Sequence, residues 1–431
     1  MQSYGVAYRR SMVVTAHVPQ DLVVDFDIDA PALMSAPDAW HQRLTELRRR
    51  SPILYSPASG GHWIVTRYDL ACEVLRDAET FSSSPLLLNK ASEFNLVPTE
   101  LDPPHHAPFR KLLVPLFSPK RLQELEPRLR DTVNELIDEF CEKGGCEFIG
   151  AFAHALPIRV FFELMGWPAQ DAEMFGKAIH TALQGLPGKS AEESLQAQAE
   201  AALEIYGYFT SVIECVERGD YDMDSLTAQI ILTEVEQPDG SARRLSVLEL
   251  SQLLFTLAVG GWHNTEVTLA WSIINLAANP DQRAKLIADP SGVPAAVEEI
   301  LRFETAGSPA RRATRDTTLG GVDIAAGDQI LLLLPSANRD EAQFHSPDEI
   351  RIDRAPNNHL TFGMGIHRCV GVAMARLELR LALEELHKRI PDYRLVDGDP
   401  PQMTGGQARS CQRLAIEFTP TPRLGNAALH D

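Results

Sequence analysis

Long apolar runs are absent from this chain of 431 residues. No stretch reaches the roughly 18 apolar residues that a membrane-spanning helix needs, and no sustained apolar segment follows Arg9 and Arg10 near the start. We therefore expect neither a membrane anchor nor a secretory signal. Basic residues are also in deficit, since 40 lysines and arginines face 59 aspartates and glutamates and leave a formal net charge of −19. That charge argues against a nucleic-acid partner.

Cysteine is scarce, and the spacing of the six cysteines matches no cysteine-based metal site: Cys72, Cys141, Cys146, Cys215, Cys369 and Cys411. Cys141 and Cys146 flank two glycines in a polar turn, where we expect free thiols. Free thiols suit a reducing compartment, so the sequence predicts a cytoplasmic protein.

The chain also lacks internal repeats, low-complexity tracts and any linker that would divide it. Residues 1–30 show no periodicity and are predicted to be an irregular arm, and residues 31–431 a single domain. Helical spacing of apolar residues covers much of that domain, for example 39–51, 169–183 and 191–218, with breaks near Gly144 and Pro157. Strand patterns are short: 63–66, 317–322, 329–334, 393–395 and 413–418. The predicted fold class is mainly α with small β-sheets.

One cysteine stands in an unusual context, the run from Phe362 to Gly371. Cys369 lies between Gly365 and Gly371, and a helical pattern follows directly. The backbone N–H groups and the dipole at the start of a helix favour a thiolate, which can bind a metal already held by a macrocycle. The two glycines would let the backbone pass close to a flat ligand, and His367 could donate to a carboxylate on it. The alternative is a buried structural cysteine in a glycine-rich turn.

The run completes the pattern Phe-x-x-Gly-x-His/Arg-x-Cys-x-Gly through Phe362, Gly365, His367, Cys369 and Gly371. In this the chain resembles the cytochrome P450 family of haem-thiolate monooxygenases. The resemblance implies a triangular prism with haem b between a long central helix and the cysteine loop, Cys369 as the iron ligand, and Phe362 beside the haem. Thiolate ligation is a known property of that family and not something the spacing shows.

A long helix is predicted from Ser246 to about Ala278, because Ser246 and Glu249 can form a capping box and a proline ends the pattern. It would be roughly 45–50 Å long. The resemblance implies that it passes over the haem on the oxygen side. Gly260 and Gly261 at its centre indicate close approach of a ligand or a distorted turn, with close helix packing as the alternative.

After these glycines the chain departs from the family pattern, which has an acid and then a threonine. His263 stands in place of the acid and Asn264 in place of the threonine, with Thr265 one position later. An imidazole can relay protons near neutral pH, and an amide can hold a water. These three residues are the catalytic candidates. Two alternatives stay open: His263 points away from the haem, or a shift in register returns Thr265 to the site.

Two further motifs fit the resemblance. Glu299 and Arg302 share one helix face, and the family pattern implies a buried network that they form with Arg354 behind the cysteine loop. His106 and Arg110 belong to the pattern Asp-Pro-Pro-x-His-x-x-x-Arg and lie one helical turn apart.

The resemblance implies that His106 and Arg110 bind haem propionates, with Arg311 and His367 as further donors. For any one of these four residues, the alternative is a solvated basic face.

Segments expected to line a substrate pocket are largely apolar, which suits a small, hydrophobic or modestly polar molecule. Glu304 and Arg409 either meet a charged group of the substrate or face solvent. The candidate pocket residues are Leu87, Phe94, Leu183, Val259, Gly260, Ala306 and Gln407.

The resemblance as a whole implies a monooxygenase that uses O2 and inserts one oxygen atom into a small organic substrate such as a terpenoid, an aromatic compound or a secondary metabolite. Electrons would come from a separate ferredoxin with its reductase. Basic residues near the cysteine ligand are predicted to form the docking face: Arg110, Lys111, Lys120, Arg121 and Arg368. The alternatives are a tailoring oxidase that couples radicals or uses peroxide, and a haem-binding sensor without catalysis.

Overall fold

Helices dominate the structure, as the spacing of apolar residues predicts. The structure is a computed structural model that describes residues 17–34, 39–88, 95–186 and 190–425. Its α-helices are α1 Ala39–Arg50, α2 Tyr68–Arg76, α3 His106–Leu113, α4 Pro119–Asp138, α5 Ala155–Met165, α6 Ala172–Gln184, α7 Ala191–Arg218, α8 Leu226–Leu232, α9 Val247–Ala278, α10 Pro280–Ala288, α11 Val293–Phe303, α12 Leu334–Ala337 and α13 Val372–Arg389.

Short strands form small sheets beside the helices. The strands are β1 Ile53–Ser56, β2 His62–Val65, β3 Phe81–Ser82, β4 Gly145–Glu147, β5 Val235–Glu236, β6 Ala242–Arg243, β7 Ala310–Ala313, β8 Thr317–Leu319, β9 Val322–Ile324, β10 Gln329–Leu332, β11 Arg394–Leu395, β12 Gln402–Thr404, β13 Ser410–Arg413 and β14 Ala415–Glu417. The largest sheet has the order β1-β2-β10-β7-β3, with β2 and β10 parallel. A second sheet has the order β11-β14-β4.

Helix α9 runs through the main core. The predicted capping box is confirmed, because the Ser246 side chain accepts from the N–H of Glu249 and the Glu249 carboxylate accepts from the N–H of Ser246. The helix has 32 residues and ends before Pro280. Leu253, Leu269 and other apolar side chains on it are fully buried. A helix that is apolar nearly all round is packed on nearly all sides, and α5, α11 and α13 all contact α9.

The predicted break near Pro157 is present, whereas part of the predicted irregular arm is buried in the core. A π-helical segment, Ile149–Ala153, ends just before α5, and Pro157 lies in the first turn of α5, where a proline costs no intrahelical hydrogen bond. Within the predicted irregular arm, residues 24–28 follow a period of two: Val24, Phe26 and Ile28 are buried, and the residues between them are exposed. The Val24 N–H also donates to the carbonyl of Tyr55 at 2.9 Å.

None of the helices among the described residues is long and apolar enough to cross a membrane.

Candidate active site

The cysteine loop, residues 362–371, is held closed by its own backbone and by α2. The N–H of Cys369 donates to the carbonyl of Phe362 at 2.9 Å. Gly365 has a φ of +70°, and a Cβ there would lie 2.5 Å from the carbonyl oxygen of Leu75 in α2. Contact with α2 therefore requires a glycine at this position.

The thiol of Cys369 lies at the start of α13, where Gly371 is the N-cap residue. Its side chain is accessible to solvent. Protein around the thiol nevertheless desolvates it and raises the pKa of Cys369, while the N–H of Gly371 and the charges of Arg110 and Arg368 lower that pKa. A metal cation at the sulfur would shift the balance to the thiolate.

Four basic side chains converge near this thiol: His106, Arg110, Arg311 and His367. The rings of His106 and His367 have centroids 4.4 Å apart, and Arg311 is buried. Burial, and then the charges of His106, Arg311 and Arg110, lower the pKa of His367 to about 3. Burial and the charge of Arg110 likewise lower the pKa of His106 to about 4. The positive charges of this group are thus unfavourable to one another as long as no anion lies beside them.

No carboxylate forms an ion pair with Arg110 or Arg311 within the part of the chain that the structure describes. Both ring nitrogens of His367 are buried there without a hydrogen-bond partner. Burial lowers the pKa of Arg311 to about 10, with only a partly opposing effect of Asp102. An anionic group placed here would satisfy these donors.

Behind the cysteine loop lies a buried ionic network that we call the brace, formed by Glu299, Arg302 and Arg354. The Glu299 carboxylate accepts from Arg302 at 2.8 and 2.8 Å and from Arg354 at 3.0 and 2.9 Å. It also accepts from the N–H of Arg351 at 2.9 Å and from the amide of Asn357 at 3.2 Å. Glu299 and Arg302 are fully buried.

A second ionic link, which no motif in the sequence predicts, lies beside the brace. Glu298 accepts from Arg376 at 2.7 and 2.6 Å and lies 3.2 Å from Nε2 of His359. It ties α11 to α13 directly after the cysteine loop. No short spacing connects these residues in the chain, so only the fold brings them together.

Residues 258–266 form what we call the central turns of α9. Gly260 and Asn264 are exposed and lie one turn apart on one face, whereas His263 and Thr265 are buried. A Cβ on Gly261 would lie 3.3 Å from the ring of Phe161, so helix packing, the alternative reading, accounts for that glycine.

His263 lies within the electrostatic reach of Glu266 and forms a hydrogen bond with the backbone of Arg409. Burial lowers the pKa of His263, and Glu266 and the backbone of Arg409 partly oppose this effect. Its Nε2 is buried and has no partner among the described residues.

The predicted pocket residues fall into different environments. Leu87 is exposed and Val259 half-buried, whereas Ala306 is buried against Val267 and Trp271. Phe94 and the side chain of Leu183 lie outside the described residues.

The side chain of Gln407, another predicted pocket residue, forms hydrogen bonds with backbone groups. Its amide accepts from the N–H of Leu88 at 2.6 Å and donates to the carbonyls of Leu86 and Ser308 at 3.4 and 2.9 Å. Its visible role is to hold three segments together.

The expectation that Glu304 and Arg409 meet a charged substrate or solvent is wrong. They pair with each other at 2.9 Å, and both are 3% exposed. Glu304 also lies 2.8 Å from His41, and the Arg409 guanidinium stacks between Trp40 and Trp271 at 4.9 and 4.7 Å from the ring centroids.

Similarity to known proteins agrees with this geometry. A family model described as Cytochrome P450 matches residues 292–389, which include the brace and the cysteine loop. Mycinamicin IV hydroxylase/epoxidase of Micromonospora griseorubida is 34% identical over 364 residues, 82% of this chain and 88% of that protein. The chain belongs to the cytochrome P450 family. Steroid C26-monooxygenase of Mycobacterium tuberculosis is 34% identical over 329 residues, 76% of this P450 and 87% of that protein.

Solved P450 structures share the fold. The crystal structure of CYP101J2 matches with a TM-score of 0.82 at 30% identity and covers 94% of this chain and 99% of that one. That of CYP101C1 matches with the same TM-score of 0.82 at 29% identity. The predicted family, fold class and class of enzyme, a P450 monooxygenase, are confirmed.

The cofactor of this family is haem b, and the residues present fit it. The group needs one ligand for its iron and donors for two propionates. The structure offers an accessible thiol at Cys369 and, near it, a basic group without carboxylate partners among the described residues.

Proposed function

We propose that this P450 hydroxylates a small, largely apolar organic molecule with electrons from a separate ferredoxin and its reductase. The balance is one substrate C–H bond, one O2, two electrons and two protons, which give one alcohol and one water. The observation that carries the proposal is the accessible Cys369 thiol with the basic group beside it. The central turns of α9 add a face on which Gly260 and a polar Asn264 are exposed.

Each site residue has a role in this proposal. Cys369 ligates the iron, and Phe362 lies beside the cofactor. The propionates are held by His106, Arg110, Arg311 and His367. When bound, the haem supplies the iron at which O2 is reduced and split. The protein orients the substrate, excludes water and delivers protons.

Two relatives support the substrate class. One is named for hydroxylation or epoxidation of mycinamicin IV, and the other for oxidation of a steroid at C26. A steroid is largely apolar, which agrees with the apolar content of the segments around α9.

Electron delivery is the second part of the proposal, and we place the docking face for ferredoxin around Arg368. Lys111 pairs with Glu236 at 2.8 Å, and Arg121 donates to Gln229 at 3.2 Å, so these charges are partly engaged. Arg368 is exposed, directly precedes Cys369 in the chain and forms no ion pair with a described residue. We expect Arg368→Glu to slow reduction by an acidic ferredoxin and added salt to slow it in the wild type, since opposite potentials speed encounter. Lys177→Glu on α6 is the control, and a rate indifferent to both salt and Arg368→Glu contradicts this docking face.

The proposal as a whole is tested by reconstitution. Compounds that displace the iron-bound water, read from the haem spectrum, are supplied with NADH, reductase and ferredoxin, and the products are identified. A hydroxylated product supports it. A protein that binds haem but forms no product, either with NADH, reductase and ferredoxin or with hydrogen peroxide, would select the haem-binding sensor without catalysis.

A second candidate, the peroxide-using oxidase, is favoured by one observation. Asn264 occupies the exposed position of α9 where the family pattern has an alcohol. Product formed with hydrogen peroxide but not with NADH and ferredoxin would select this candidate.

A further inference from the structure

A series of titratable side chains runs from the surface to the central turns of α9. His180 on α6 is exposed, and His154, directly before α5, is 29% exposed. Glu266 and His263 on α9 are both buried, at 6% and 8% exposure. The two members on α9 are therefore more buried than the two histidines nearer the surface.

Contacts connect His180, His154 and Glu266, and the charge of Glu266 acts on His263. Nδ1 of His154 lies 2.9 Å from Oε2 of Glu266. The rings of His154 and His180 have centroids 6.3 Å apart, too far for a direct hydrogen bond but within reach of one bridging water. Glu266 and His263 are three residues apart and share one face of α9. The indole of Trp262 packs edge-on against His154 at 5.0 Å and closes the cluster on one side.

The inner end of the series is the imidazole ring of His263. Nε2 of His263 is buried without a partner among the described residues, which is costly unless a water or ligand group pairs with it. Asn264, the next residue, is exposed on the face of α9 that also carries Gly260. Its amide does not titrate, so it can position a water but cannot supply a proton from its own reserve.

We propose that His180, His154, Glu266 and His263 form a proton relay that replaces the acid–alcohol pair missing from α9. The inference rests on the proposed monooxygenase function, which consumes two protons in each turnover. For each proton taken from solvent at His180, one leaves at Nε2 of His263, and every member returns to its starting protonation state.

The surroundings favour reversible proton transfer. Burial lowers the pKa of both His180 and His263, so both imidazoles are neutral near pH 7 and can accept and release a proton. Glu266 raises the pKa of both. From the strand side, Cys411 and Glu147 are the titratable groups that face this cluster, and the backbone of Arg409 contacts His263.

A purely structural role for the His154–Glu266 contact, which joins α5 to α9, is the competing explanation. The first test is the NMR titration of the histidine rings in the haem-loaded, reduced and carbon monoxide-bound protein. Glu266→Gln should lower the pKa of His180 and His263, and His180→Ala should raise that of His263. The control His345→Ala, an exposed histidine elsewhere, should move neither. Unchanged pKa values in both variants would show that the groups are not coupled and would overturn the relay.

The second test separates relay from scaffold by the fate of oxygen. With NADH, reductase and ferredoxin, His263→Ala and Glu266→Gln should form product roughly 10²-fold more slowly, near the lower end of what a positioned proton donor contributes. The two electrons and O2 should instead yield hydrogen peroxide, with its two protons taken directly from solvent water and not from the relay. His263→Asp, which restores an acid, should recover most of the product. His180→Ala should change the pH profile of product formation, which a scaffold role does not do.

Normal product formation in both His263→Ala and Glu266→Gln contradicts the relay and leaves the monooxygenase function intact. A wild-type protein that forms no product at all contradicts the proposed function instead, whereas the NMR result remains interpretable.

Discussion

The brace behind the cysteine loop and the central turns of α9 differ in how completely their buried polar groups are paired. Both oxygens of Glu299 accept from arginine side chains, a backbone N–H and an amide. In the central turns, Nε2 of His263 and the indole N–H of Trp262 are buried without a partner among the described residues. The protein thus completes the brace by itself, whereas the central turns leave polar groups for water and small molecules. Complete pairing marks the structural part of this site, and incomplete pairing marks the part that we propose handles protons.

Removing the carboxylate of the brace should have the largest effect. Glu299→Ala leaves two buried guanidinium groups without their anion, which costs about 3–5 kcal/mol in the free energy of unfolding. We expect little or no bound haem, measured by the ratio of haem to protein absorbance. Glu417→Ala, which removes an exposed partner of Arg394, is the control and should cost less than about 1 kcal/mol. A stable, fully haem-loaded Glu299→Ala protein refutes the brace.

Glu298 offers a pH-dependent version of the same test. Arg376 and His359 outweigh burial and lower the pKa of Glu298 to about 2, from a usual value near 4.5. A lowered carboxyl pKa stabilises the fold above pH 4.5, and this contribution is lost as the pH falls toward 2. Glu298→Gln should therefore cost about 2–3 kcal/mol at pH 7 and progressively less below pH 4.5. Urea unfolding of both proteins from pH 7 to pH 3 checks this, and a pH-independent difference speaks against the ionic link.

The smallest effect is expected in the central turns of α9. Asn264→Ala alters an exposed side chain and should change the free energy of unfolding by less than about 0.5 kcal/mol, with full haem content. The neighbouring Thr265→Ala, at a buried position, should cost about 1 kcal/mol. If Asn264→Ala destabilises the protein as strongly as a brace variant does, the comparison between the two regions fails.

Local patterns were sufficient where neighbours in the chain decide the structure. The capping box at Ser246 and the helical spacing of α7 and α9 belong to this class, because helices are built from contacts within a few residues. Glu299, Arg302 and Arg354 meet in the structure, as predicted. The prediction came from a pattern shared by a family, since spacing alone does not place the three residues together.

Long-range pairing was the part that spacing could not predict. Glu304 and Arg409 are 105 residues apart and Glu298 and Arg376 are 78 apart, so nothing local joins them. Local spacing also could not predict why residue 365 is a glycine, because the reason is the close approach of the distant carbonyl of Leu75. The alternation of Val24, Phe26 and Ile28, by contrast, is visible in the sequence. A period of two indicates that every second side chain is buried, although the segment as a whole is predicted to be irregular.

Carbon monoxide binding to the reduced protein tests most directly whether the Cys369 thiolate holds the iron. The wild type and Cys215→Ser, a half-buried cysteine outside the loop, should both show the red-shifted Soret band of thiolate ligation. Cys369→Ser should lose that band even if haem stays bound. Retention of the band in Cys369→Ser would contradict the account of the site.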